Sequence, residues 1–347
     1  MVSCILINSL ILNMNKFKKI NMDWLLIIGV LTGVYLASNI GANDIGNSMG
    51  TAVGSGVIGM RRALIVGAFF MFIGAIFLSG NVIKTIAGGI VDTSFITVLG
   101  AVIATLTAGI WVSINILRRT PVSGSHSMVG AIFGYGIVYA GLNHIKWNSL
   151  LIIGLSWISS PLLGALIGFL FYYLLRTLLL EKIERLAVRG RIEKIFSYLQ
   201  ILSSSFAALG IGAIDIAAAT GVMIAVVGTN SGTDIRLIGA LGLVTGILVA
   251  GNRIVGTVGR RITNLVPTRG VSAQISAAAV ILTFAILGMP ISPTQTLVGS
   301  VIGVGLARKT RDVGTDVIKQ ILSSWLLTFP LCALISGSLY YIISTLL

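Results

Sequence analysis

Apolar stretches of about 20 residues recur from residue 23 to the C-terminus, with the charges almost entirely between them, and about 20 helical residues cross a bilayer core. Inside lipid every backbone N–H and C=O must be bonded internally, which leaves helices and closed barrels as the only spanning structures. These stretches are too long and too continuously apolar for barrel strands. The chain is therefore read as an all-α polytopic membrane protein. Its segments lie at about 23–49, 63–82, 93–117, 124–143, 148–176, 200–228, 234–252, 271–288, 293–307 and 320–346, with some of them broken or re-entrant, for about 10–12 membrane segments in all.

Composition agrees: 10% of residues are charged and 56% hydrophobic, where a soluble domain carries about a quarter charged. No stretch is polar and long enough to be a soluble catalytic domain. A net charge of +14 raises the question of nucleic acid, but Lys and Arg sit in short clusters between spans, without basic stripes interleaved with aromatics. That is the pattern of cytoplasmic loops. If the charged stretch 177–199 is cytoplasmic, 18 of the 24 basic residues fall inside, including every Arg pair, and six outside. This count predicts five segments per half and both termini outside. Cys4 and Cys332 stand in apolar context without metal-type spacing, so neither a zinc site nor a disulfide framework is expected.

The predicted organisation is an N-terminal tail at 1–22, where Met14 and Met22 offer alternative starts, then a first repeat at 23–176, the linker at 177–199 and a second repeat at 200–347. The repeat is visible in two motifs. GANDIGNSMG at 41–50 aligns with GAIDIAAATG at 212–221, and PVSGSHSMVGAIFGYG at 121–136 aligns with PISPTQTLVGSVIGVG at 290–305. The offsets are 171 and 169 residues. A weaker third match sets 81–90 against 253–262. An odd number of segments per half makes the repeats inverted in the membrane, the arrangement of secondary transporters, whose sites form where interrupted segments meet near the midplane.

The first motif brings Asn43, Asp44, Asn47 and Ser48 onto one turn of helix, and its mate contributes Asp215. Carboxylate and amide oxygens suit a hard cation such as Na+, with Asn43 and Asp44 its nearest ligands, or a proton relay. The alternative is that Asn and Asp cap a broken helix. The second motif places Ser123, Gly124, Ser125, His126 and Ser127 at a helix start, and its mate places Ser292, Thr294, Gln295 and Thr296 there. Two helix N-termini rich in N–H and hydroxyl donors would surround a tetrahedral oxyanion. Plain N-capping is the other reading, although one cap needs one hydroxyl and not three. His126 is either a proton carrier or a hydrogen-bonded structural residue. His144 is predicted to be incidental, and no organic cofactor is called for.

With these residues in hand, the chain from about residue 23 resembles the inorganic phosphate transporter (PiT) family. GANDIGNSMG is similar to the family's GANDVANA signature and PVSGSHSMVG to its PVSTTH signature; GNRIVGTVGRRITNLVPTRG at 251–270 resembles a third family segment. The resemblance implies ion-coupled symport of inorganic phosphate across the cell membrane by inverted repeats, often as a homodimer, with no enzymatic activity. The chain departs from the family pattern at Ile214 (Asn in the family), at Gln295 (His) and at Lys84 and Gly256 (Glu). Lys84 thereby joins the anion-binding candidates, and sulfate becomes the alternative substrate, because sulfate only accepts hydrogen bonds. A membrane-embedded enzyme using His126 and a passive anion channel are the rival classes.

Overall fold

The computed structural model describes residues 2–183, 185–228, 232–261, 266–308 and 315–346, with side chains described for 24–183, 185, 187–228, 232–256, 266–308 and 326–346. The side chains of Cys4 and of the N-terminal lysines, and the end of the third motif at 262–265, lie outside the described residues.

Among the described residues twelve α-helices follow one another: α1 (Val2–Gly54), α2 (Met60–Phe77), α3 (Gly80–Gly88), α4 (Val98–Leu117), α5 (Gly124–Ala140) and α6 (Trp147–Leu178), then α7 (Leu186–Val227), α8 (Gly232–Ala250), α9 (Asn252–Arg261), α10 (Pro267–Ile286), α11 (Pro293–Ala307) and α12 (Thr315–Leu346). The second six repeat the order of the first six. Among the described residues eight helices are long and apolar enough to cross a membrane. The two remaining segments expected from hydropathy are α5 and α11, which begin at buried, non-helical stretches, Pro121–Ser123 and Pro290–Ser292. The short α3 and α9 were not foreseen. The protein is a multi-pass membrane protein.

Two expectations change. The glycine-flanked GANDIGNSMG does not interrupt its helix, because α1 runs unbroken through 41–50, as α7 does through 212–221. Gly41 is used for close approach instead: a Cβ there would lie 2.5 Å from the carbonyl oxygen of Leu243, and one at Gly212 would lie 2.0 Å from that of Met71. Second, the charged linker at 177–199 is not separate from the helix that follows it, since its residues 186–199 form the first turns of α7. Val266, which precedes α10, has no side chain able to cap it, and Glu193 on α7 does so, accepting from Thr268 N at 3.0 Å and from Thr268 Oγ1 at 2.9 Å. The tail 2–22 continues α1.

The two halves pack through matching glycine contacts. On α5, a Cβ on Gly130 or Gly134 would strike the backbone of Phe329 or Ala333 on α12; on α11, a Cβ on Gly299 or Gly303 would strike that of Pro161 or Ala165 on α6. Each pair is a Gly-x-x-x-Gly ridge that lets two helices approach closely in lipid, where dispersion replaces the hydrophobic effect as the driving force. In both pairs residue numbers rise together, so the helices run parallel. By contrast Gly29 meets Met223 and Gly33 meets Ala219, so α1 and α7 cross antiparallel. α7 is the innermost helix, 83% of its apolar window being buried against 22% for α6. The outer face of α6 presents Leu151, Leu155, Ile158 and Leu162, an apolar stripe at helical spacing suited to lipid.

Candidate functional site

Helices α1 and α7 cross where their motifs meet, and α5 and α11 point their N-termini at that crossing. The reason lies in the backbone. A break inside the membrane exposes N–H and C=O groups that water cannot reach, so side chains must satisfy them. Asn43 does this for the first break: its Nδ2 donates to the carbonyl of Val122 at 2.7 Å, and its Oδ1 accepts from Val122 N at 3.2 Å. The mate of Asn43 is Ile214, which can form neither bond, and the corresponding carbonyl, Ile291 O, accepts from Ser125 Oγ at 2.8 Å instead.

Asn43 Nδ2 also donates to Asp44 Oδ1. Asn47 Nδ2 donates to the same oxygen at 2.8 Å and to Thr294 Oγ1 at 2.8 Å, which ties α1 to the start of α11. The carboxyls of Asp44 and Asp215 lie close enough to interact with each other. All of Asn43, Asp44, Asn47, Ser48, Asp215, Ser123, Ser125, His126, Ser127, Ser292, Thr294, Gln295 and Thr296 are buried. The structure therefore gathers every candidate except Lys84. That residue stands on the exposed face of α3, opposite its buried Val82, Ile83 and Ile86, and makes no hydrogen bond or ion pair among the described residues.

The hydroxyls divide unevenly. Ser123 caps α5 by accepting from His126 N at 3.2 Å and faces Ser125 Oγ at 3.1 Å; Ser125 donates to Ile291 O, and Ser127 donates to Ser123 O at 2.7 Å. The three hydroxyls of the first half thus hold the broken helices together. In the second half Ser292 accepts from Gln295 N at 3.3 Å and Thr294 accepts from Asn47, so each keeps its own proton to donate. The first-turn N–H groups of Gly124, Ser125 and Thr294 have no acceptor within their helices.

Several buried atoms of the centre lack a partner among the described residues: Asp44 Oδ2, Asn47 Oδ1, Asp215 Oδ2, Gln295 Oε1 and His126 Nε2. Four of the five are acceptor oxygens. Buried polar atoms are as a rule bonded, and a cluster of orphans in one network marks a place for a ligand. Oxygens from two carboxylates and two amides fit a hard cation, or the protonated oxygen of an anion. His126 stacks on Trp157 with ring centroids 3.7 Å apart, and Trp157 Nε1 donates to Pro290 O at 3.0 Å.

Sequence reasoning did not find Trp157, Gln274 or Thr51. Gln274 Nε2 donates to Asn47 O at 3.1 Å, and its Oε1 accepts from Thr51 Oγ1 at 2.9 Å. A lone amide in the apolar run of α10, and a Thr four residues after Asn47, were the available signals.

A buried polar centre enclosed by two half-helices and two through-going helices, in a bundle whose outer faces are apolar, defines the class: a membrane transporter. The comparisons with known proteins agree. Residues 40–336 match the profile of the Phosphate transporter family. A Pyrococcus furiosus protein, named provisionally as a phosphate permease, is 34% identical over 92% of this chain and 96% of its own length. The Arabidopsis thaliana protein "Inorganic phosphate transporter 2-1, chloroplastic" is 31% identical over 88% of this chain and 70% of its own. A solved structure titled "The sodium-dependent phosphate transporter" superposes with a TM-score of 0.85 at 31% identity, covering 93% of this chain and all of that one. The chain belongs to the phosphate transporter family, whose members named here are transporters and permeases and not enzymes.

Proposed function

We propose that the protein is a Na+-coupled symporter of inorganic phosphate, working by alternating access about the pseudo-two-fold axis between its halves. The observation that carries this reading is the set of orphan oxygens at the α1–α7 crossing. Asp44, Asn47 and Asp215 bind the cation; Ser292, Thr294 and the first-turn N–H groups of α5 and α11 bind the anion beside it. Hydrogen phosphate donates a proton to an acceptor such as Gln295 Oε1, which sulfate cannot do, and that favours phosphate. The roles divide between the halves, with cation ligands mainly from the first and free hydroxyl donors from the second. One cation held between two carboxylates offsets the cost of burying both.

The antiparallel crossing of α1 and α7 supports inverted repeats, and the excess of basic residues on the side of the 177–199 stretch supports a cytoplasmic linker with both termini outside; the proposed transport is inward across the cell membrane. The name of the sodium-dependent structural relative supports Na+ over a proton. The test is uptake of radiolabelled phosphate and sulfate into proteoliposomes, with Na+ and pH gradients imposed separately. Phosphate uptake that follows the Na+ gradient is expected. Uptake of sulfate without phosphate, or phosphate uptake indifferent to both gradients, would sink the reading.

A further inference from the structure

Lys84 was predicted to reach the anion, yet it lies apart from the centre, in a cavity of its own. This cavity of 340 Å3 is lined by Lys84 and Thr85, the backbone of Gly88 and Gly89 at the end of α3, Ser149 on α6, and Met289 after α10. At about 30 Å3 per molecule it has room for on the order of ten waters, enough for a hydrated oxyanion. Its one charge is the Lys84 ammonium, and no carboxylate lines it. A lysine in a largely apolar pocket without a counter-ion is an attractor for anions, since low-dielectric walls focus its field.

The cavity abuts the central site. Met289 forms part of its wall, and the next two residues carry the carbonyls that receive Trp157 Nε1 and Ser125 Oγ. Ile153, also in the wall, precedes Trp157 by one turn of α6. The segment 289–291 thus runs from the wall of the cavity to carbonyls that bond Trp157 and Ser125 of the centre. This segment follows Gly288 at φ +77°, a conformation that favours glycine. The end of α10 just before it is tied to the helix that bears Lys84, because Asn81 Nδ2 donates to Ile286 O at 2.8 Å.

The geometry points to the Lys84 cavity as a second anion site, an outer station that captures phosphate before it passes the 289–291 barrier to the centre. The inference rests on the phosphate reading above. Capture raises the local concentration of the anion and leaves the transport step untouched, so it acts on the apparent KM alone. In proteoliposomes at low ionic strength, Lys84→Gln raises the KM for phosphate roughly tenfold with Vmax unchanged, and the difference shrinks in high salt. Lys84→Arg keeps the low KM. Lys84→Cys supplies a second readout: an external aminoethyl thiosulfonate, which restores a positive charge, lowers the KM again, and a sulfonatoethyl one raises it further.

An unchanged KM in Lys84→Gln, or a lower Vmax at constant KM, overturns the outer site, as does equal action by the two thiol reagents. Wild-type uptake in the same vesicles separates the two claims. If the wild type takes up no phosphate, the phosphate reading fails; if it does so normally and the variants match it, only the outer station fails.

Discussion

Ser125 donates its hydroxyl to the carbonyl of Ile291, in the opposite half of the molecule. The bond replaces one that the second half has lost, since the residue that should hold Ile291 by symmetry with Asn43 is Ile214. Each half-helix start is thereby held, one by an amide on α1 and the other by a hydroxyl on α5. Ser125→Ala leaves a buried carbonyl unbonded, at a cost of about 1–3 kcal/mol. Uptake and thermal midpoint in detergent should both fall, and adding Ile214→Asn should restore them. If Ile214→Asn on the Ser125→Ala background recovers neither, the compensation does not operate.

Asp44 and Asp215 approach each other with no Lys or Arg bonded to either among the described residues, and the proposed symport assigns both carboxylates to the transported ion. Asp44→Asn removes a charged ligand worth about 2–3 kcal/mol, which is roughly 30- to 150-fold in the Na+ concentration for half-maximal uptake. Asp215→Asn should behave alike, because the two carboxyls face one site. Asn43→Ala should instead lower stability, since its amide serves Val122. Na+ titrations of uptake on folded, monodisperse variants decide this. Wild-type Na+ dependence in Asp44→Asn would remove the carboxylate from the coupling role.

Gly134 and Gly303 occupy equivalent helix crossings, where a Cβ would sit 1.9 Å from the carbonyl oxygens of Ala333 and Ala165. Neither backbone can yield by that much without parting the helices. Gly134→Ala and Gly303→Ala should each destabilise by about 1–3 kcal/mol. Gly154→Ala, on the open face of α6 with nothing within 4 Å, is the control. Thermal unfolding in detergent reads the difference, and equal midpoints for all three would contradict the packing.

Glu193 caps α10 from the start of α7. Glu193→Ala should cost about 1 kcal/mol, as loss of an N-cap does. Limited proteolysis between α9 and α10 should speed up in the variant. An unaltered cleavage rate and midpoint would mean that the contact contributes nothing.

Much of the site was legible in the sequence because the repeat doubles each signal. Asp44 and Asp215 share an offset with the two Pro-Val/Ile-Ser motifs, so their meeting at one centre followed from symmetry before any coordinate. The division of labour was not legible. Ser123, Ser125 and Ser127 look like free donors in a string, but the protons of Ser125 and Ser127 are claimed by carbonyls, one of them supplied by the other half, and Ser123 is taken up by its cap and by Ser125 Oγ. Gly41 looks like a helix break and is instead a contact point with α8, because the same residue serves either purpose and only the neighbour decides.

The sequence by itself determined the class of fold and the positions of its polar motifs. Twenty-residue apolar runs leave the backbone no option but helices, and most charges lie between them, which makes Asp44 and Asp215 stand out inside α1 and α7. Tertiary structure decided which polar atoms are spent and which are left over. Hydrogen-bond partners in the centre come from residues far apart in the chain, such as Asn47 with Thr294 and Asn43 with Val122. It also moved Lys84 out of the centre, since α3 is short and amphipathic and turns that residue toward an outer cavity while burying Val82, Ile83 and Ile86.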